Sequence, residues 1–99
     1  MIMEFAQLTI RQGAEHEFEA VFPRAIRVLG GSRGYISHDL RRSLETPNRY
    51  VLIVHWRTLE DHTVGFRGSP AFLEWRAHIG PFLDGSPVVE HYQQVPSAD

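Results

Sequence analysis

Residues 50–75 read YVLIVHWRTLEDHTVGFRGSPAFLEW, and this stretch decides the fold. Tyr50-Val-Leu-Ile-Val54 is a continuous apolar run of the kind that forms a buried strand. Thr58, with Asp61 three residues on, is a variant of the capping box that opens a helix. Ser69 directly before Pro70 puts a good N-cap ahead of a proline at the first helical position, so a second helix begins there. A strand, a short helix and a longer helix therefore follow one another directly. His62, Phe66, Phe72, Trp75 and Arg76 fall within the two helices, an aromatic and cationic set suited to a pocket wall.

Working outward, the strand extends over Arg49 to Arg57, and Thr46-Pro47-Asn48 before it is a good hairpin turn. An antiparallel partner is expected over Gly34 to Ser43. There Tyr35, Ser37, Asp39 and Arg41 alternate with Ile36, His38, Leu40 and Arg42. Ala14 to Leu29 reads as a helix whose apolar stripe is Phe18, Val21, Phe22, Ala25, Ile26 and Leu29. Pro23 deprives the Glu19 carbonyl of its partner and is expected to kink that helix. The first strand covers Ile2 to Arg11, with Ile2, Ala6, Leu8 and Ile10 on one face and Met3, Phe5, Gln7 and Thr9 on the other. Both faces are mostly apolar, which predicts burial on two sides. Thr58 to Arg67 is the short helix and Pro70 to Leu83 the longer one, bent by Pro81. Val88 to Val95 is the last strand, and a frayed tail is expected from Pro96 to Asp99.

The order β-α-β-β-α-β is that of ferredoxin-like α+β folds: an antiparallel sheet with helices on one face. One domain over residues 1–99, with its core in 2–95, accounts for the whole chain. The uncovered sheet face, carrying Phe5, His55 and Tyr92, calls for a partner, so a homodimer packed sheet to sheet is expected. Tyr35 is placed on the same face as Tyr92.

Composition narrows the chemistry. A chain of 99 residues buries only about two thirds of its unfolded surface, which also favours an oligomer. The net charge of −2 gives no electrostatic footprint for nucleic acid or an anionic membrane. No apolar run approaches the roughly 20 residues of a membrane span, and MIMEF lacks a basic region before an apolar core, so a cytoplasmic protein is expected. There is no cysteine, hence no disulfide, thiolate nucleophile or sulfur-ligated metal. All 10 basic residues are arginine, which excludes Schiff-base and lysine-anchored pyridoxal chemistry. Gly30-Gly31 and Gly34 suit a helix stop and a strand start rather than a phosphate loop.

Four features together resemble the antibiotic biosynthesis monooxygenase family of dimeric α/β barrels. They are His55-Trp56 ending a strand, Arg57-Thr58-Leu59-Glu60 entering a helix, Ser69-Pro70-Ala71-Phe72 opening the next, and the closing Pro87-Val-Val-Glu-His-Tyr92. The resemblance covers roughly residues 2–95. Within the family, the chain is most similar to the cofactor-free anthrone oxygenases, whose cavity tryptophan and arginine fall at Trp56 and Arg76. Their short-helix tyrosine falls at His62, and their asparagine falls at Leu52. The haem-degrading branch fits less well. Its asparagine falls at Ala6 or Gln7, and its histidine ligand falls near Trp75, with His78 one turn away.

The resemblance implies an oxygenase without metal or flavin, acting on an electron-rich polycyclic phenol, anthrone or quinol with molecular oxygen. His62 takes or relays the proton, since imidazole titrates near neutral pH. Arg76, read as a buried guanidinium, stabilises the oxyanion or else pairs with Glu90. Trp56 stacks on the flat substrate, and Phe66, Phe72, Trp75, Tyr35 and His55 complete the site. His38, His55 and His91 lie on strands, but no HxH spacing joins them, and no metal site is expected. Glu60 and Asp61 are helix-start charges, and Glu15, Glu17 and Glu19 form a solvated face, so no carboxylate is assigned to catalysis. The alternative is a non-catalytic dimer that binds small aromatics or serves structurally.

Overall fold

The computed structural model describes residues 1–96. The elements are β1 (Ile2–Thr9), α1 (Glu15–Gly30), β2 (Tyr35–Arg42), β3 (Arg49–Trp56), a π-helical turn (Asp61–Phe66), α2 (Pro70–Ile79), a 3₁₀ turn (Gly80–Phe82) and β4 (Val88–Gln93). The strands form one antiparallel sheet in the order β2-β3-β1-β4. This is the ferredoxin-like α+β arrangement expected from the element order. Of the expected tail, Ser97 to Asp99 lie outside the described residues.

One face of the sheet is covered by both helices. Phe18, Phe22, Ala25, Ile26 and Leu29 of α1, with Trp75 and Ile79 of α2, bury against Ala6, Leu8, Tyr50, Leu52, Val54 and Trp56. The register sorts the rest. Glu4 pairs with Val54 and His91, whereas Met3 pairs with His55 and Tyr92, so the sheet has a helix side and an outer side. On the outer side Phe5 meets Tyr92 edge to face at 6.0 Å, and Ser37 Oγ lies 3.2 Å from His55 Nδ1. Phe5, His55 and Tyr92 thus share the open face. β1 is buried only on its helix side, at Glu4, Ala6 and Leu8; Ile2, Met3, Phe5, Gln7 and Thr9 are half-buried.

Several boundaries move for identifiable reasons. β1 stops at Thr9 because Ile10 turns to bridge Leu83, and the Arg11 N–H donates to the Phe82 carbonyl. α1 runs through Pro23 without interruption. α2 ends at Ile79, and the segment expected to complete it tightens around Pro81 into a 3₁₀ turn. The short helix is a π turn, in which the Arg67 N–H donates to the His62 carbonyl five residues back. Thr58 Oγ1 accepts from the Asp61 N–H at 3.1 Å, as the capping box requires. The Ser69 hydroxyl instead donates backwards to the Phe66 carbonyl at 2.7 Å. In β2 the register shifts between Tyr35 and Ser37. That bulge breaks the two-residue alternation, so Tyr35 packs edge-on against Trp56 on the helix side, opposite Tyr92.

Gly34 enters β2 at φ +85°, and its carbonyl accepts from the Arg57 N–H at 2.8 Å. The Asp61 carboxylate occupies the space a Cβ would need. Gly34→Ala therefore combines a left-handed strain with displacement of Asp61. We expect a stability loss of about 1–3 kcal/mol by denaturant unfolding; an unchanged midpoint would show that the turn relaxes freely.

Candidate functional site

α2, the π turn and the helix side of the sheet enclose a cavity of about 220 Å³. Leu8, Leu29, Leu52, Ile79, Leu83 and Val89 give it an apolar floor and back. Phe66, Phe72 and Trp75 supply aromatic wall, with Phe72 set perpendicular to Phe66 at 5.6 Å. Arg67 and Arg76 are exposed and stand at the rim, the Arg76 guanidinium lying 5.8 Å from the centre of the Phe72 ring.

Two polar groups sit deep in this wall: Glu4 from β1 and His62 from the π turn, 5% and 3% exposed. Oε1 of Glu4 accepts from the Trp56 indole Nε1–H at 3.0 Å and lies 3.3 Å from His62 Nε2. The opposite ring nitrogen, His62 Nδ1, lies 2.7 Å from Nε2 of His91, a half-buried residue of β4. Trp56, fully buried, stacks on the His62 ring at 5.2 Å and 17°, and Phe66 lies nearly parallel on it at 6.1 Å. The imidazole is thus held by packing on its faces, by a hydrogen bond at Nδ1 and by the close approach of the Glu4 carboxyl to Nε2.

Burial dominates the electrostatics. It pulls His62 down from 6.5 to about 4, with the charges of Arg67 and His91 adding to the effect. His91 is lowered in the same way, by burial and then Arg67. Glu4 is raised by burial, against the lowering influence of the Trp56 hydrogen bond and of Arg67.

The site brings together His62, Arg76, Phe66, Phe72 and Trp75. Trp56 is not a cavity wall: its ring is covered by His62, so it positions that residue and Glu4 instead of meeting a ligand. Arg76 is exposed at the mouth rather than buried, and Glu90 lies on the outer face, where it accepts from the Tyr92 hydroxyl at 2.9 Å. Tyr35 stays beyond Trp56, with its hydroxyl 2.6 Å from His38 Nδ1, and His55 is on the outer face; neither lines the cavity. His38 and His91 stand on the two edge strands, about 14 Å apart by strand spacing, so the strand histidines do not converge. Among the described residues no group of three His, Asp or Glu side chains is arranged to hold a metal ion. His78 faces Glu74 at 3.9 Å, away from the cavity lining.

Sequence reasoning missed Glu4, Arg67 and the part played by His91. For Glu4 a signal was present. It occupies an even position in Ile2, Glu4, Ala6, Leu8, Ile10, the buried stripe of β1, where a charged residue has to be explained.

Residues 1–78 match the family described as antibiotic biosynthesis monooxygenase. The protein YczJ of Bacillus subtilis (strain 168), itself uncharacterised, is 46% identical over 95 residues, spanning 96% of this chain and 100% of that protein. Among solved structures, a Bordetella bronchiseptica protein described as a candidate antibiotic biosynthesis monooxygenase superposes with a TM-score of 0.91. It is 39% identical, over 95% of this chain and 96% of that one. SnoaB, a cofactor-independent oxygenase from Streptomyces nogalater, superposes with a TM-score of 0.78 over 98% and 95% of the two chains. At 23% identity that likeness speaks for the fold alone.

A depressed histidine makes a signed prediction. Between pH 6.5 and about 4 the unfolded chain binds a proton at residue 62 that the folded chain refuses, so stability falls as pH drops through this window. Glu4 works the other way, its contribution being lost as pH rises through its elevated value. His62→Gln removes the first effect, and the wild type should lose on the order of 2 kcal/mol more than the variant across the window. Equal slopes in thermal or denaturant unfolding would refute the depressed value.

Proposed function

The chain belongs to the antibiotic biosynthesis monooxygenase family, and from that premise we propose that it is a small oxygenase working without bound metal or flavin. Its substrate is an electron-rich phenol, anthrone or quinol held between the sheet and α2. The observation that carries this reading is a neutral, buried imidazole in contact with a carboxyl on the wall of an otherwise aromatic and apolar cavity. Proton abstraction is what such a pair can do, and it is what the substrate needs.

For an anthrone the balance is simple. A ring CH₂ loses a proton and becomes a resonance-stabilised carbanion, which passes an electron to oxygen and then forms a C–O bond. The resulting peroxide anion takes up a proton. Loss of the second C–H proton breaks the O–O bond, leaving a ketone, and the departing hydroxide is protonated to water. Oxygen is the oxidant and the CH₂ carbon is oxidised. His62 handles the protons, and Arg76 with Arg67 at the rim stabilises charge developing on the ring oxygen. The aromatic walls orient the ring and keep water out. The SnoaB neighbour, a cofactor-independent oxygenase of the same fold, supports the reading. At about 220 Å³ the cavity lies below the roughly 300–1,000 Å³ of drug-sized sites, which favours a compact substrate of few rings.

A homodimer is part of this proposal. Phe5, Val51, Ile53 and Tyr92 form an apolar outer face continuous across the central strands, and a second copy packed sheet to sheet would cover it. Ile53→Glu should convert the dimer to a folded monomer by light scattering after size exclusion. A monomeric wild type would remove the dimer from the proposal.

The activity is tested by oxygen uptake with a simple hydroxyanthrone in the presence of chelator. His62→Gln should lower the rate by about 10²-fold or more, and Arg76→Ala by about 10²-fold. Uptake at the spontaneous rate would sink the reading for this substrate class. Binding of the anthrone without uptake would instead make the protein a ligand-binding dimer.

A further inference from the structure

We propose that Glu4, His62 and His91 form a proton relay between the cavity and the protein surface, with Glu4 the base at the inner end and His91 the exit. The inference rests on the reading of the cavity as a proton-abstraction site, and it adds two residues to that site. Its first support is connectivity. His62 Nδ1 is hydrogen-bonded to His91 and Nε2 lies 3.3 Å from the Glu4 carboxyl, on opposite sides of one ring, so the three groups make a line rather than a cluster around a point. The same opposition prevents them from chelating a single ion, because both nitrogens of one imidazole cannot meet one metal.

The second support is that this line is satisfied in two proton arrangements. In one, the Glu4 carboxylate accepts from the Trp56 N–H and from His62 Nε2–H, and His62 Nδ1 accepts from His91 Nε2–H. In the other, the Glu4 carboxyl is protonated and donates to His62 Nε2, while His62 Nδ1–H donates to His91 Nε2, and His91 carries its own proton on Nδ1. The second state holds one proton more than the first. It is reached by a proton entering at His91 Nδ1 while each ring passes on the proton it held. No imidazolium need persist in either state.

The third support is placement. Glu4 and His62 line the cavity, whereas His91 sits on the edge strand β4 and is only half-buried. The inner end therefore meets the ligand and the outer end meets water. Trp56, from β3, donates to Glu4 Oε1 in both states and fixes the carboxyl. The charged groups lining the cavity beside the line are Arg67, next to the π turn, and Arg76 on α2, and Arg67 favours the state with Glu4 ionised. Burial raises the carboxyl and lowers both imidazoles, which shifts proton affinity along the line toward Glu4. Because the same contacts serve both proton arrangements, the line can carry a proton in either direction. The oxygenation proposed above needs such reversibility, since protons leave the substrate and return to the peroxide and hydroxide.

The test follows the tautomer of His62 by ¹⁵N NMR on the full-length protein, from about pH 4 to about pH 8. In the wild type His62 should switch from Nε2–H to Nδ1–H as pH falls, at the same midpoint at which the Glu4 carboxyl acquires its protonated infrared band. Glu4→Gln, whose amide oxygen still accepts from Trp56 at the position that faces His62 and which cannot take up a proton, should abolish the switch and hold His62 as Nε2–H at every pH. His91→Gln should slow hydroxyanthrone uptake by about 10-fold, with added imidazole restoring it. A His62 tautomer that never changes, or one that passes directly to imidazolium while Glu4 stays ionised, would overturn the relay. A tautomer switch without oxygen uptake would keep the relay and discard the oxygenase reading. Uptake without the switch would do the reverse.

Discussion

A carboxyl group in the middle of an apolar sheet face has to be satisfied from within the fold, and the arrangement around Glu4 follows from that constraint. Leaving it unpaired would cost several kcal/mol, a large part of the stability of a chain this size. Trp56 reaches it from the neighbouring strand, and His62 reaches it from the π turn above. Each of those residues is then committed. Trp56 is fully buried with its indole N–H aimed inward, and the π turn carries His62 over β1 instead of leaving it in solvent. The wide turn also brings Phe66 onto the same imidazole and sets the aromatic wall against α2.

The layout of the fold was readable because it rests on periodicity and turn chemistry. The apolar run at Tyr50–Val54, the Thr58 and Ser69-Pro70 starts and the Thr46-Pro47-Asn48 turn each act locally, and the elements appear where they point. What was not readable depends on register between distant segments. Tyr35 alternates correctly with its neighbours in sequence, yet one bulged residue at Ile36 carries it to the other side of the sheet. His91 and His62 are 29 residues apart and share nothing locally; only the pairing of Glu4 with His91 across β1 and β4 brings them together. Arg76 follows the buried Trp75 on α2, but one residue turns an α-helix by about 100°, so its guanidinium stands exposed at the rim. Glu4 is different in kind. Its position in the buried stripe of β1 was visible, and the apolar neighbours on both sides drew attention away from it.

One position of the cavity carries no polar group, although the resemblance to the anthrone oxygenases gives it an asparagine. That position is Leu52, buried at the centre of the cavity floor. Its partner across the ladder is Ala6, and two residues before Ala6 on the same face stands Glu4. The polar group of the floor thus stands on β1 and not on β3. It is an ionisable group rather than an amide. An amide can orient a ligand oxygen, but only a titrating group can exchange a proton with it, so the change of strand brings a change of chemistry.

The sheet divides its labour by face. The helix side holds the carboxyl, the imidazoles and the cavity; the outer side offers Phe5, Val51, Ile53 and Tyr92 for packing. β1 and β3 serve both faces at once, since alternate residues of the same strands build the site and the packing surface. A substitution on the outer face therefore reaches the site through the backbone of a shared strand, and β1 is the shortest route, with Phe5 between Glu4 and Ala6. If the outer face meets a second copy of the chain, the contact steadies the strand that carries the buried base. The relay would then owe the fixed position of its inner end to the dimer as well as to Trp56.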